Sequence, residues 1–141
     1  MNIKNLLSAL LLISVLTVNA QQNLIISPEK PKAGDVITIT YTPAGELANT
    51  LLKVEAAVYI SSSTGRKAND LPLTKSGKKY IATIKTDTAD VFIQLAFYVD
   101  GDNKKYDTNF GEGYYILLNN SNNKVKKFAY AALGVYYQYE S

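Results

Sequence analysis

Short segments of alternating apolar and polar residues recur along this chain, separated by turn residues, and they constrain its fold more than any other feature. In residues 36–41 every second side chain is apolar or aromatic, which is the period of a strand with one buried face. The same alternation runs through 52–60. Residues 92–99 form the most apolar run and predict a central strand, with Leu95 and Phe97 in the core.

Seven segments are expected to be strands, and Pro, Gly, Asn or Asp residues bound most of them. They are 24–27, 36–41, 52–60, 71–74, 80–84, 92–99 and 114–118. Seven short strands with no helix among them predict an all-β, antiparallel, immunoglobulin-like sandwich over residues 21–120. A small barrel is the alternative architecture.

The chain changes character after residue 120. Residues 121–141 are expected to form a linker and the possible start of a helical region. A stripe at three-to-four spacing, Phe128, Ala132, Val135, Tyr136 and Tyr139, predicts a helix over 128–139. Because the apolar faces of the strands are expected to cover each other, we predict that this helix is poorly packed.

The first 20 residues have the pattern of a cleavable export signal. Lys4 precedes an apolar run of about a dozen residues, shorter than the ~20 needed to span a bilayer, and 18–20 form a small-residue cleavage site. The remaining chain is therefore expected to be exported, periplasmic or extracellular, and without a membrane span once the signal is removed.

The composition excludes several chemistries. The 141 residues include no His and no Cys, so imidazole catalysis, thiol chemistry and the usual zinc sites are ruled out. Fifteen basic and 12 acidic residues give a net charge of +3, and the lysines are spread along the chain, so nucleic-acid binding is not expected. We expect no enzyme activity and no cofactor.

One loop concentrates oxygen ligands. Asp100, Asp102, Asn103 and Asp107 are the densest such group and form a weak candidate for a calcium site. The spacing departs from an EF-hand, because Lys105 stands where that loop needs Gly and Gly111 stands where it needs a bidentate Glu. A plain hairpin loop is the simpler interpretation.

Aromatic residues are the other candidates for function. Tyr59, Tyr98 and Tyr115 are expected on outward strand faces, and the tail adds Phe128, Tyr136 and Tyr139. Such residues suit a protein interface or the stacking of sugar rings, because tyrosine is half apolar and half polar. Strand propensity alone also selects tyrosine. The three interpretations remain open from the sequence.

Two stretches carry a family resemblance. Residues 26–35, Ile-Ser-Pro-Glu-Lys-Pro-Lys-Ala-Gly-Asp, with the strand and the Pro-Ala-Gly that follow, resemble the opening of the N-terminal domain of exported bacterial thioredoxin-like proteins. Residues 54–59 and 111–116 resemble its middle and end, so that the resemblance covers about residues 23–118. It implies an immunoglobulin-like accessory domain, followed in that family by a helical region and a thioredoxin-like domain with a Cys-x-x-Cys pair. None of those redox residues exists here.

Overall fold

The computed structural model describes residues 23–140, with side chains described as far as Gln138. The export signal expected at 1–20 lies outside the described residues, as does the side chain of Tyr139. In chain order the elements are β1 (Leu24–Ser27), β2 (Val36–Tyr41), β3 (Val54–Ser62), β4 (Gly65–Asp70), β5 (Thr74–Ser76), β6 (Lys79–Lys85), β7 (Asp90–Val99), β8 (Lys105–Asp107), β9 (Tyr114–Leu117) and helix α1 (Ala129–Glu140).

The strands form two antiparallel sheets that face each other. The first sheet has the order β1-β2-β6-β5, and the second has the order β4-β3-β7. Two short strands share the free edge of β7: β8 pairs with its C-terminal part and β9 with its N-terminal part. The prediction of an all-β, immunoglobulin-like sandwich is confirmed, and the two separate sheets exclude a closed barrel.

The core forms between the sheets because the alternating residues of each strand turn inward. Ile37 and Ile39 of β2 and Phe97 of β7 are fully buried, and Leu95 is 3% exposed. The sequence therefore located the central strand and its inward face correctly. Burial of this apolar surface is the main source of stability, since the chain has no disulfide.

Residues 23–140 contain nine strands rather than seven, because β4 and β8 lie between the predicted segments. All six residues of β4 are exposed, and only Asp107 of β8 is buried. These strands exist because their backbones pair with β3 and β7. An apolar alternation is therefore not required of them. The fifth strand lies at Thr74–Ser76, slightly later than the predicted 71–74, and leaves Leu71 as a buried residue before the strand.

The C-terminal helix exists as predicted, but the expectation that it packs poorly is wrong. Ala129 and Tyr136 are buried, and Ala132 and Leu133 are partly buried, in a second apolar cluster with Val91 and Phe92. This cluster lies on the outer face of the second sheet, outside the sandwich core. No helix among the described residues is long and apolar enough to cross a membrane.

Phe97→Ala is expected to lower the free energy of unfolding by about 3–5 kcal/mol, because it leaves a large cavity in the core. The Phe97 ring stacks on the Tyr41 ring, with centroids 3.6 Å apart and planes within 3°. Urea denaturation of residues 21–141 measures the change. A loss of less than about 1 kcal/mol, typical of surface substitutions, would contradict this assignment.

Candidate interaction surface on the second sheet

The outer face of the second sheet carries two rows of side chains. Strand pairing places Tyr59 opposite Gln94, and Gln94 opposite Tyr115, in the first row. In the second row Tyr98 lies opposite Tyr106. The small residue Ala96 lies on this face between the two rows, opposite Ala57. The structure thus places the sequence candidates Tyr59, Tyr98 and Tyr115 on one outward face, where each is partly buried.

A groove of about 530 Å³ occupies the space between these rows. Tyr59, Tyr106 and Tyr136 supply aromatic surface to it, and Gly111 and Gly113 border it with backbone. Its other lining residues are Arg66, Gln94, Leu95, Ala96, Asp107 and Thr108. A concave site of this volume that combines aromatic surface with several polar groups falls in the size range of small-ligand sites.

Arg66 is the one cation among the described residues that line this groove. Its guanidinium lies 4.7 Å from the centroid of the Tyr59 ring, within the range of a cation–π contact. Its Nη2 donates a hydrogen bond to Oε1 of Gln94 at 2.5 Å. Two neighbours therefore hold the cation at the edge of the groove. Arg66 and Tyr106 were not among the sequence candidates, since both lie on strands outside the seven predicted segments.

Helix α1 closes one end of the groove. The Tyr136 ring lies 6.2 Å from the Phe92 ring and 6.3 Å from the Tyr115 ring, measured between centroids. Its hydroxyl reaches the backbone at Gly113, where a β-carbon would overlap it. Gly113 also has φ of +68°, a conformation that side-chain-bearing residues rarely adopt. This glycine therefore fixes where α1 docks.

Three exposed apolar side chains lie on α1 or immediately before it. Phe128 is 56% exposed, Tyr130 65%, and Val135 50%. Of the stripe expected from the sequence, Ala132 and Tyr136 face the sheet, whereas Phe128 and Val135 face away. Tyr137 is partly exposed, and its hydrogen bond with Tyr115 is the largest of the causes that raise its pKa to about 12. We call Phe128, which immediately precedes the helix, together with Tyr130 and Val135 the outer patch of α1.

Asp107, a candidate calcium ligand, is buried and has a different role. Its Oδ2 accepts hydrogen bonds from the hydroxyls of Tyr41 at 2.6 Å and Tyr114 at 3.0 Å, and from the backbone N–H of Ala44 at 3.1 Å. Its Oδ1 accepts the backbone N–H of Asn109 at 3.0 Å. Both oxygens are thus occupied by the protein.

The other calcium candidates do not join Asp107. Asp100 lies 3.5 Å from the Nζ of Lys104, and Asp100, Asp102 and Asn103 are exposed. Within residues 23–140, no three acidic side chains come close enough together to hold a metal ion. The four candidate ligands therefore do not form a site in this structure.

Burial raises the pKa of both tyrosines that donate to Asp107. For Tyr41, desolvation is the largest cause, followed by the hydrogen bond to Asp107. For Tyr114, desolvation is again the largest, followed by the charge of Asp107. A phenolate beside a buried carboxylate would bring two negative charges together in a medium of low polarity. Both phenols are thus held in the neutral, donating form.

Comparisons with known proteins give little further information. No family model matches the chain, and no curated protein matches it. Among solved structures, a cycloalternan-forming enzyme from Listeria monocytogenes, in complex with a pentasaccharide substrate, is similar at a TM-score of 0.40 and 17% identity. An uncharacterized protein from Listeria monocytogenes EGD-e, solved with glucose, magnesium and calcium, gives the same values. Each alignment covers 69% of this chain but 9% of the other. Similarity this low carries no functional argument.

Gly113→Ala should release α1 from the sheet, since the new β-carbon collides with the Tyr136 hydroxyl. We expect amide hydrogen exchange in residues 129–138 to become faster by about tenfold or more, while exchange in β3 and β7 changes much less. Gly111→Ala is the matched control, because its φ is +91° but its β-carbon would meet nothing within 4 Å. Equal exchange in the two variants would show that backbone strain, rather than the contact with Tyr136, is responsible.

Stability should fall steeply above the ordinary tyrosine pKa of 10.0. Below that pH the two tyrosines are protonated in both the folded and the unfolded state, so their hydrogen bonds stabilise the fold fully. Above that pH, Tyr41 and Tyr114 lose their protons in the unfolded state but keep them in the folded state. Each of the two tyrosines therefore lowers the free energy of unfolding by about 1.4 kcal/mol per pH unit.

Tyr41→Phe is expected to lower the free energy of unfolding at neutral pH by about 1.5–3 kcal/mol, because it removes a hydrogen bond to a charged acceptor. The free energy of unfolding should also fall less steeply above about pH 10, by the contribution of one tyrosine, about 1.4 kcal/mol per pH unit. Urea midpoints between about pH 8 and pH 11 measure both effects. Tyr130→Phe, at a 65% exposed side chain, is the control. An unchanged slope in Tyr41→Phe would contradict the assignment.

Proposed function

We propose that this chain is an exported, non-catalytic interaction domain and the N-terminal module of a larger thioredoxin-like protein. In this proposal the outer patch of α1 contacts the redox-bearing part of that protein. The domain itself performs no redox chemistry, because it has no cysteine. Its role is to hold a neighbouring domain in position.

The outer patch is the observation that carries this proposal. Ala129 and Tyr136 already bury α1 on the sheet, and yet Tyr130 and Val135 on the helix and Phe128 just before it are each at least half exposed. A surface helix that has docked one side normally has a polar opposite side. Large exposed apolar side chains on or beside one short helix favour a surface that another protein covers. The resemblance of residues 23–118 to exported thioredoxin-like proteins suggests which protein that is.

Site-specific photocross-linking tests the proposal in the organism that encodes the chain. A benzophenone amino acid at Val135 should cross-link, in the exported fraction, to a polypeptide that contains a thioredoxin-like Cys-x-x-Cys domain. The matched control position is Ile25, an apolar residue on the other sheet that is 58% exposed. A cross-link at 135 that is no stronger than at 25, or that joins only copies of this chain, would refute the proposed contact.

A free-standing glycan-binding or cell-surface module is the second candidate function. The groove beside Tyr59, Tyr106 and Tyr136 favours it, since aromatic rings stack on the apolar faces of sugar rings while nearby polar groups bind hydroxyls. The two candidates use different surfaces. Sugar binding without a cross-link from Val135 would favour the second.

A further inference from the structure

The groove combines aromatic surface with a single fixed positive charge. Tyr59 lies on β3 and Tyr106 on β8, with β7 between them. Tyr59 pairs with Gln94 and Tyr106 with Tyr98, four residues further along β7. A strand spacing of ~4.8 Å and a rise of ~3.3 Å per residue therefore place their backbones about 16 Å apart on a diagonal, with Ala96 between them on β7. This geometry admits an elongated ligand that lies diagonally across the strands.

The guanidinium of Arg66 is oriented but not neutralised. Gln94 accepts one of its hydrogen bonds and the Tyr59 ring lies beneath it, so few rotamers remain available. Among residues 23–138, no Asp or Glu forms an ion pair with Arg66: the ion pairs of this region involve only lysines. A guanidinium presents a fork of N–H donors that matches a carboxylate. The unneutralised charge therefore selects for an anionic ligand.

The nearby carboxylates do not compete for this position. Asp107 lines the opposite side of the groove, on β8, three strands away from Arg66 on β4. Both Asp107 oxygens already accept hydrogen bonds from the protein. Glu55, on the same face, pairs with Lys53 at 3.1 Å. Asp107 and Glu55 thus already have partners, and Asp70, on the same face of β4, lies four residues from Arg66 along that strand.

We infer that this groove binds an acidic saccharide, a chain of uronic acid residues, with a sugar carboxylate on Arg66 and a sugar ring on Tyr106. The inference rests on the glycan-binding candidate function and adds its ligand class. Tyr106 is 44% exposed, so part of its ring is open to a ligand. Lys104 lies 5.6 Å from the Tyr106 centroid, but it pairs with Asp100 at 3.5 Å, so the preference for an anionic ligand depends on Arg66.

A titration with matched oligosaccharides tests this inference. The probes are a tetramer of galacturonic acid, the same tetramer with its carboxylates methyl-esterified, and a neutral galactose tetramer. Binding to residues 21–141 is followed by NMR at low salt. We expect the acid tetramer to bind at least about tenfold more tightly than either uncharged probe, a difference of about 1.4 kcal/mol.

Two variants locate the binding site. Arg66→Gln should abolish the preference for the acid tetramer, and Tyr106→Ala should weaken the binding of all probes that bind. Lys67→Gln is the control, because it removes the same charge from the next position of β4, where Lys67 pairs with Asp87 at 2.8 Å instead of lining the groove. It should leave the acid preference unchanged.

The outcomes distinguish a failure of the acidic ligand class from a failure of glycan binding itself. Equal binding of acidic and neutral tetramers, or a preference that survives Arg66→Gln, would overturn the acidic ligand class while leaving glycan binding in place. No binding of any tetramer at about 10 mM, where even very weak sites are occupied, would overturn both.

Discussion

The carboxylate of Asp107 connects the two sheets at one end of the sandwich through hydrogen bonds. It accepts hydrogen bonds from Tyr41 in the first sheet, from Tyr114 in the second, and from backbone N–H groups of two loops. A buried charge without a cationic partner is costly, and only several donors make it tolerable. Because side chains alternate along a strand, fixing Asp107 inward fixes Tyr106 outward. The groove on the outer face therefore depends on a buried hydrogen-bond network on the inner one.

Alternation in the sequence was sufficient to find most of the sandwich, because burial of one face leaves a period-two pattern. It located Leu95 and Phe97 in the core and placed Tyr59, Tyr98 and Tyr115 on outward faces. It could not find β4 or β8. Their side chains are almost all exposed, and their pairing with β3 and β7 uses backbone groups that every sequence possesses.

The same limitation explains the errors at the candidate sites. Asp107 was grouped with a loop of possible calcium ligands because its main donor, Tyr41, lies 66 residues earlier in the chain. Arg66 and Tyr106 were missed along with their strands. The helix was expected to lack a partner because sequence reasoning assigned the apolar strand faces to the sandwich interior. Phe92, Tyr115 and Leu117 instead form an apolar area outside it, where α1 docks.

Tyr136 physically links the two proposed functions. Its ring packs on Phe92 and Tyr115 to dock α1, and the same side chain lines the groove. A protein that bound the outer patch and shifted α1 would move this wall of the groove. A ligand in the groove that contacted Tyr136 would in turn favour the docked helix. Because coupling free energies are reciprocal, each event must change the affinity of the other by the same factor. The docking contact at Gly113 therefore sets how strongly a partner on α1 and a ligand on the sheet influence each other.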